Sequence, residues 1–134
     1  NTLPYAFTEE EFQKRVDEYE DMGESAFTAT DEDGNPIGFF FLKIQKQEKK
    51  GFMRYIIVDP SVRGQGYGRQ MVRLAAEYAF HIAGLSSIGL NVFDDNPAAA
   101  ACYKGIGFTF QDDKLPLLDF QGRIWGRTRM ELQR

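Results

Sequence analysis

A run of strand-forming residues, Tyr55-Ile56-Ile57-Val58, breaks at Asp59-Pro60 into the stretch Arg63-Gly64-Gln65-Gly66-Tyr67-Gly68-Arg69, after which helical spacing begins. A loop of this composition between a strand and a helix suits an anion. Glycines 64, 66 and 68 carry no Cβ, so the backbone can take positive φ and turn successive N–H groups onto one ligand. The helix beginning near Gly68 adds unsatisfied amides and the positive end of its dipole, and Arg63 and Arg69 add full charges. A pyrophosphate fits such a loop.

Two familiar phosphate motifs are excluded by spacing. The dinucleotide fingerprint G-x-G-x-x-G meets Arg69 when counted from Gly64 and Met71 when counted from Gly66, and a P-loop would need Lys-Ser or Lys-Thr where Arg69-Gln70 stands. The pattern present is R-x-x-G-x-G, Arg63 to Gly68, after a V-D-P strand end. Further on, Leu90, Val92, Asn96, Ala99, Tyr103, Gly107 and Phe108 fill every fixed position of L-x-V-x-x-x-N-x-x-A-x-x-x-Y-x-x-x-G-F, with an all-alanine run at Ala98 to Ala101. Together the two signatures resemble those of the GNAT superfamily of acetyl-CoA-dependent N-acetyltransferases, over Phe52 to Phe108. The segments E-Y-A-F-H-I-A-G-L and G-R-I-W-G-R-T-R-M resemble the branch that contains ribosomal-protein N-terminal and spermidine acetyltransferases.

Composition narrows the field further. At 134 residues, with 43% apolar and 27% charged, the chain reads as one globular domain, 1–134. No apolar run approaches the ~20 residues of a membrane span and no signal-peptide pattern opens the chain, so a cytoplasmic protein without membrane partners is expected. A single cysteine forms no internal disulfide, and one cysteine with one histidine does not make a zinc ligand set, so no metal is expected. A net charge of -4 speaks against nucleic acid and leans toward a cationic acceptor, although it also serves as plain solubility charge. A monomer or a homodimer is expected.

Thr8-Glu9-Glu10-Glu11 forms a capping box before Phe12, Val16 and Tyr19, which predicts a first helix with Glu18, Glu20, Asp21 and Glu24 on an acidic face. Turn residues Asp31 to Pro36 separate strands over Phe27 to Thr30 and Ile37 to Ile44; a polar connection, Gln45 to Lys50, leads to a strand over Phe52 to Val58. The helix after the glycine loop presents Met71, Ala75, Tyr78, Ala79 and Ile82 on one face and stops at Gly84. A strand over Ile88 to Phe93, a short helix from Asn96-Pro97 through Tyr103, and closing strands over Phe108 to Gln111 and Ile124 to Leu132 complete an α+β order, an α/β sandwich. By resemblance this is a GNAT-like mixed, mostly antiparallel sheet flanked by helices, with the cofactor in the splay between the strands at 52–58 and 88–93. The family's usual strand before the first helix is not seen ahead of Thr8, so an upstream strand is expected to be missing.

The resemblance implies transfer of an acetyl group from acetyl-CoA to a primary amine by direct attack. Arg63, Gly64, Gln65, Gly66, Tyr67, Gly68 and Arg69 would hold the pyrophosphate. Ile56, Ile57 and Val58 would pair with the pantetheine arm and give an amide to the acetyl oxygen, a contact worth ~3–4 kcal/mol. Asn96 would touch the cofactor arm as well as cap its helix, and Tyr103 would bind the cofactor and act as general acid toward the thiolate. An unperturbed tyrosine, pKa ~10, facing a thiol at ~8.5 makes that proton transfer uphill by only ~1.5 units. The strand position where many members carry a glutamate base holds Arg54, which also admits a non-catalytic acyl-CoA-binding module. His81 falls far from the loop; Asn91, a catalytic candidate, and Asp94 could order a water. Without a base, a low-pKa amine is favoured: deprotonating a lysine-like amine at pH 7 costs ~4.6 kcal/mol, an α-amine about 1 kcal/mol. The acceptor is then a protein N-terminus or a small amine such as a polyamine, with Phe120, Trp125 and the acidic helix face as pocket candidates.

Overall fold

The computed structural model describes residues 24–134 except Arg63, and the side chains of Asp113, Lys114 and Phe120 fall outside the description. The predicted capping-box helix at Thr8 and its acidic residues 18, 20 and 21 lie outside the described residues. In chain order the strands and long helices are β1 (Glu24–Thr30), β2 (Pro36–Gln45), β3 (Lys50–Val58), α1 (Tyr67–Glu77), β4 (Ser87–Phe93), α2 (Pro97–Ile106), β5 (Thr109–Lys114), β6 (Leu118–Phe120), β7 (Arg123–Trp125) and β8 (Arg127–Gln133). The main sheet runs β1-β2-β3-β4-β8-β5; only the β3–β4 pair is parallel.

Alternation decides the faces. Phe40 and Leu42 of β2, Met53 and Ile56 of β3, Leu90 and Val92 of β4 and Met130 of β8 point to one side, where Met71, Val72, Ala75 and Ala76 of α1 and Tyr103 of α2 close the core. Phe27 stacks on Phe40 at 5.2 Å and meets Tyr78 edge-on at 5.5 Å, extending that core over β1. Gly38 lets β2, β3 and α1 approach closely: a Cβ there would lie 2.8 Å from the Met71 sulfur and against the Ile57 carbonyl. The other face carries Phe41, Phe52, Arg54, Asn91, Phe93 and Arg129.

Several predicted boundaries shift. Glu24 is not on a helix: it opens β1 opposite Lys43 and is 2% exposed, with Oε1 3.2 Å from Nε of Arg54. Ile82 is 75% exposed, because the helical path loosens into a π-type turn over Tyr78–Ile82 and rotates that residue out of the apolar stripe. The helix stretch ends as predicted at Gly84, whose φ is 70°. Helix α2 continues past Tyr103 to Ile106, and Gly107 at φ 125° takes the cap, its N–H bonding the Tyr103 and Lys104 carbonyls. Phe108 precedes β5 as a core residue, 2% exposed. The expected strand over Ile124 to Leu132 is broken at Gly126 into β7 and β8, and β6 and β7 form a separate hairpin around Gln121-Gly122, both at positive φ.

At the start of α2 the Asn96 Oδ1 accepts the Ala99 N–H at 3.2 Å, with Pro97 in the first turn. Asn96→Ala is therefore expected to lower stability by about 1 kcal/mol, read from denaturant midpoints at unchanged slope.

Candidate active site

The β3–β4 ladder holds only from Lys50↔Ser87 to Phe52↔Gly89 and then stops, although both strands continue, to Val58 and Phe93. The cause lies in β3. Its register against β2 slips between Phe39↔Ile57 and Phe41↔Arg54, and Tyr55 there has φ 55°, a left-handed conformation that is unusual for an aromatic residue. A bulge of this kind bends its strand and adds twist, which carries Tyr55 to Val58 away from β4. A wedge results, closed at Phe52/Gly89 and open toward the glycine loop.

That loop stands at the open end. Gly64 and Gly66 have φ 82° and 81°, and a Cβ on either would meet nothing within 4 Å, so these glycines serve conformation and open space, not packing. Gly68 does pack: its Cβ would come 3.4 Å from Val58 Cγ2, which keeps α1 close to the end of β3. Gly66 caps α1 without any side-chain acceptor and the first turn holds no acidic residue, so the positive end of the helix faces the loop uncompensated. Gln65 is exposed, Tyr67 half-buried. Arg63 lies outside the described residues. Arg69 is not devoted to the loop alone, since its Nη2 reaches the Gly105 carbonyl of α2 at 3.4 Å. The cradle and the wedge fit a phosphate-bearing cofactor with a long arm, and Gly64 to Arg69 together with Ile56 to Val58 are the residues that would hold it.

Tyr103 sits on α2 within the core, 6% exposed and 6.0 Å from the Phe108 ring. Burial, and secondarily Cys102 beside it, pushes its hydroxyl far above the ordinary tyrosine range. The expectation of a nearly balanced proton transfer is corrected accordingly: in this environment the hydroxyl stays protonated, able to donate a hydrogen bond but a reluctant acid.

The expected water-ordering role of Asn91 is altered, because its Oδ1 accepts from Arg129 Nε at 2.7 Å. Asp94 is exposed and accepts the Thr128 hydroxyl at 2.7 Å. His81 is exposed on the π-type turn. Trp125 packs at 5.2 Å on Phe93, the last residue of β4, beneath the Arg123 guanidinium at 3.9 Å. One residue was misplaced by the sequence reading, Glu24, and one was given no role, Arg129. Glu24 becomes visible only once β1, β2 and β3 are in register; Arg129 carried a weak signal, the alternation Thr128-Arg129-Met130 that sets it opposite to a core methionine. Among the described residues no group of three or more His, Cys, Asp or Glu could hold a metal ion, and no helix is long and apolar enough to cross a membrane.

Known proteins share this arrangement. The family model described as "Acetyltransferase (GNAT) family" matches residues 2–108. A spermidine N(1)-acetyltransferase of Vibrio cholerae is 29% identical over 97% of this chain and 79% of its own length. A mycothiol acetyltransferase of Amycolatopsis mediterranei is 34% identical over 64% of this chain but only 31% of its own length, so this chain spans under a third of that relative. The crystal structure of the Vibrio cholerae spermidine N-acetyltransferase in complex with CoA and spermine superposes with a TM-score of 0.81 at 27% identity, over 98% of this chain and 78% of that one. With both signatures, the wedge between β3 and β4 and the family match in agreement, the chain belongs to the GNAT family of acetyltransferases, enzymes whose acetyl donor is acetyl-CoA.

Proposed function

We propose that this chain transfers the acetyl group of acetyl-CoA to the primary amine of an acceptor by direct attack within the wedge between β3 and β4. The observation that carries the reading is the ladder that stops at Phe52/Gly89 beside an uncapped glycine-rich helix start. Bound there, the cofactor supplies an activated acetyl thioester. The amides of Gly64 to Arg69 and the α1 dipole hold its diphosphate, with Arg63 and Arg69 adding charge. An amide of the strand end Ile56-Ile57-Val58 polarises the acetyl oxygen, and Asn96 borders the arm while capping α2. The amine nitrogen would bond to the acetyl carbon as the carbon–sulfur bond breaks, and Tyr103 would donate a hydrogen bond to the departing thiolate. The proton shed by the amine would pass through water to CoA or to solvent.

Among the described residues no proton acceptor for the amine stands out. The carboxylate of Glu24 is buried and paired with Arg54, and Asn91 is a neutral amide committed to Arg129. The acceptor therefore reaches the site in its neutral form through its own equilibrium with water. At subsaturating acceptor the rate is expected to rise about tenfold per pH unit up to the acceptor's own pKa, with the break moving when the acceptor is changed. Tyr103 adds no break below pH ~10, because burial raises its pKa and keeps the hydroxyl protonated. A break at one pH for acceptors of different basicity would reveal a side-chain base and contradict this account.

The relatives named for spermidine and mycothiol support a small-molecule amine, with a polyamine and a protein N-terminus as the candidate classes. A second reading, a module that binds acetyl-CoA without turnover, is favoured by Arg54, half-buried and paired with the buried Glu24, at the usual site of a base. Calorimetric titration with acetyl-CoA followed by turnover over an amine panel separates the two: the module binds and releases no product.

A further inference from the structure

Both long helices among the described residues pack on one face of the sheet, so an acceptor that approaches the wedge from the opposite face meets Phe52, Arg54, Asn91 and Arg129 at its closed end. Arg129 lies across this floor. Its Nε donates to Asn91 Oδ1 at 2.7 Å, its stem passes over Gly89, where a Cβ would lie 3.6 Å from its Cδ, and its guanidinium stands 4.7 Å from the Phe52 ring centroid. Arg54 approaches the same ring at 5.9 Å. The two arginines differ in one respect. Arg54 has a carboxylate partner, Glu24, whereas among the described residues no carboxylate lies within ion-pair distance of Arg129.

A half-buried guanidinium fixed through Nε and stacked on an aromatic ring has its two terminal nitrogens set in a rigid fork. That fork matches the paired oxygens of a carboxylate or phosphate, and partial burial strengthens the attraction. A polyamine would bring further positive charge toward Arg129, an unfavourable pairing among the described residues. We propose that Arg129, held by Asn91 on Phe52, binds an oxyanion carried by the acceptor, which is then a primary amine bearing a carboxylate or phosphate-type group. The inference rests on the acetyl-transfer reading above but not on any particular amine. Asn91 is in this view a positioning residue.

Matched acceptors test it: 4-aminobutanoate, 3-aminopropylphosphonate and 1,4-diaminobutane differ mainly in the group remote from the amine. With the intact chain, kcat/KM for at least one oxyanion acceptor should exceed that for the diamine by about 10- to 100-fold, and the better of the two identifies carboxylate or phosphate chemistry. Arg129→Gln should erase that preference through KM, and Arg129→Lys should restore part of it. Acetyl-CoA affinity, titrated separately, should be the same in all three proteins. A wild-type preference for the diamine, a preference unmoved by Arg129→Gln, or neither turnover nor calorimetric binding of both oxyanion acceptors overturns the inference. A wild-type chain that fails to bind acetyl-CoA overturns instead the reading beneath it.

Discussion

Gly66→Asp is expected to leave the protein folded and to remove acetyl-CoA binding. The residue caps α1 at φ 81°, and a Cβ built there meets nothing within 4 Å, so no packing is disturbed. The strain of ~1–2 kcal/mol for a side chain in the left-handed region is offset by the preference of aspartate for this cap and by its charge at the positive helix end. The same carboxylate would stand where the diphosphate is held. At ~4 Å and an intermediate dielectric, repulsion between unit charges is ~4 kcal/mol, or about a thousandfold in affinity. Circular dichroism and thermal unfolding check the fold, and calorimetry with acetyl-CoA checks the loss. Unchanged affinity in a folded variant would place the cofactor elsewhere.

Tyr103→Phe should retain the ring packing against Phe108 and lower turnover by ~10²–10³, the loss expected for one hydrogen-bond donor to developing charge, with acetyl-CoA affinity nearly unchanged. The loss should fall on kcat, because the hydroxyl acts on charge that develops only as the thiolate departs. Stability should change little, since a phenylalanine occupies the same volume. A variant that turns over at the wild-type rate returns Tyr103 to the role of a core aromatic.

Much of the fold was legible because its signals are local. The glycine loop needs positive φ at Gly64 and Gly66, the Asn96-Pro97 pair can begin a helix, and alternating apolar residues in β2 and β4 have one side to bury. What was illegible depends on register. Nothing in Phe52 to Val58 as a string announces that Tyr55 takes a left-handed bulge, yet that residue opens the wedge. Glu24 read as part of an acidic helical face because Glu18, Glu20 and Asp21 precede it; only its pairing with Lys43, and the reach of Arg54 across β2, makes it a buried partner. Tyr103 could be placed by its signature, whereas the direction of its pKa follows from burial and could not be read from spacing.

The central claim is that this chain moves an acetyl group, and product analysis tests it most directly. The purified chain is incubated with acetyl-CoA and a mixture of polyamines, amino acids, aminophosphonates and short peptides, and acetylated products are followed by mass spectrometry alongside free CoA. The account predicts one acetylated amine formed for each CoA released, at a rate proportional to the amount of protein. Tight acetyl-CoA binding with no acetylated product from any amine class would contradict it and leave a cofactor-binding module.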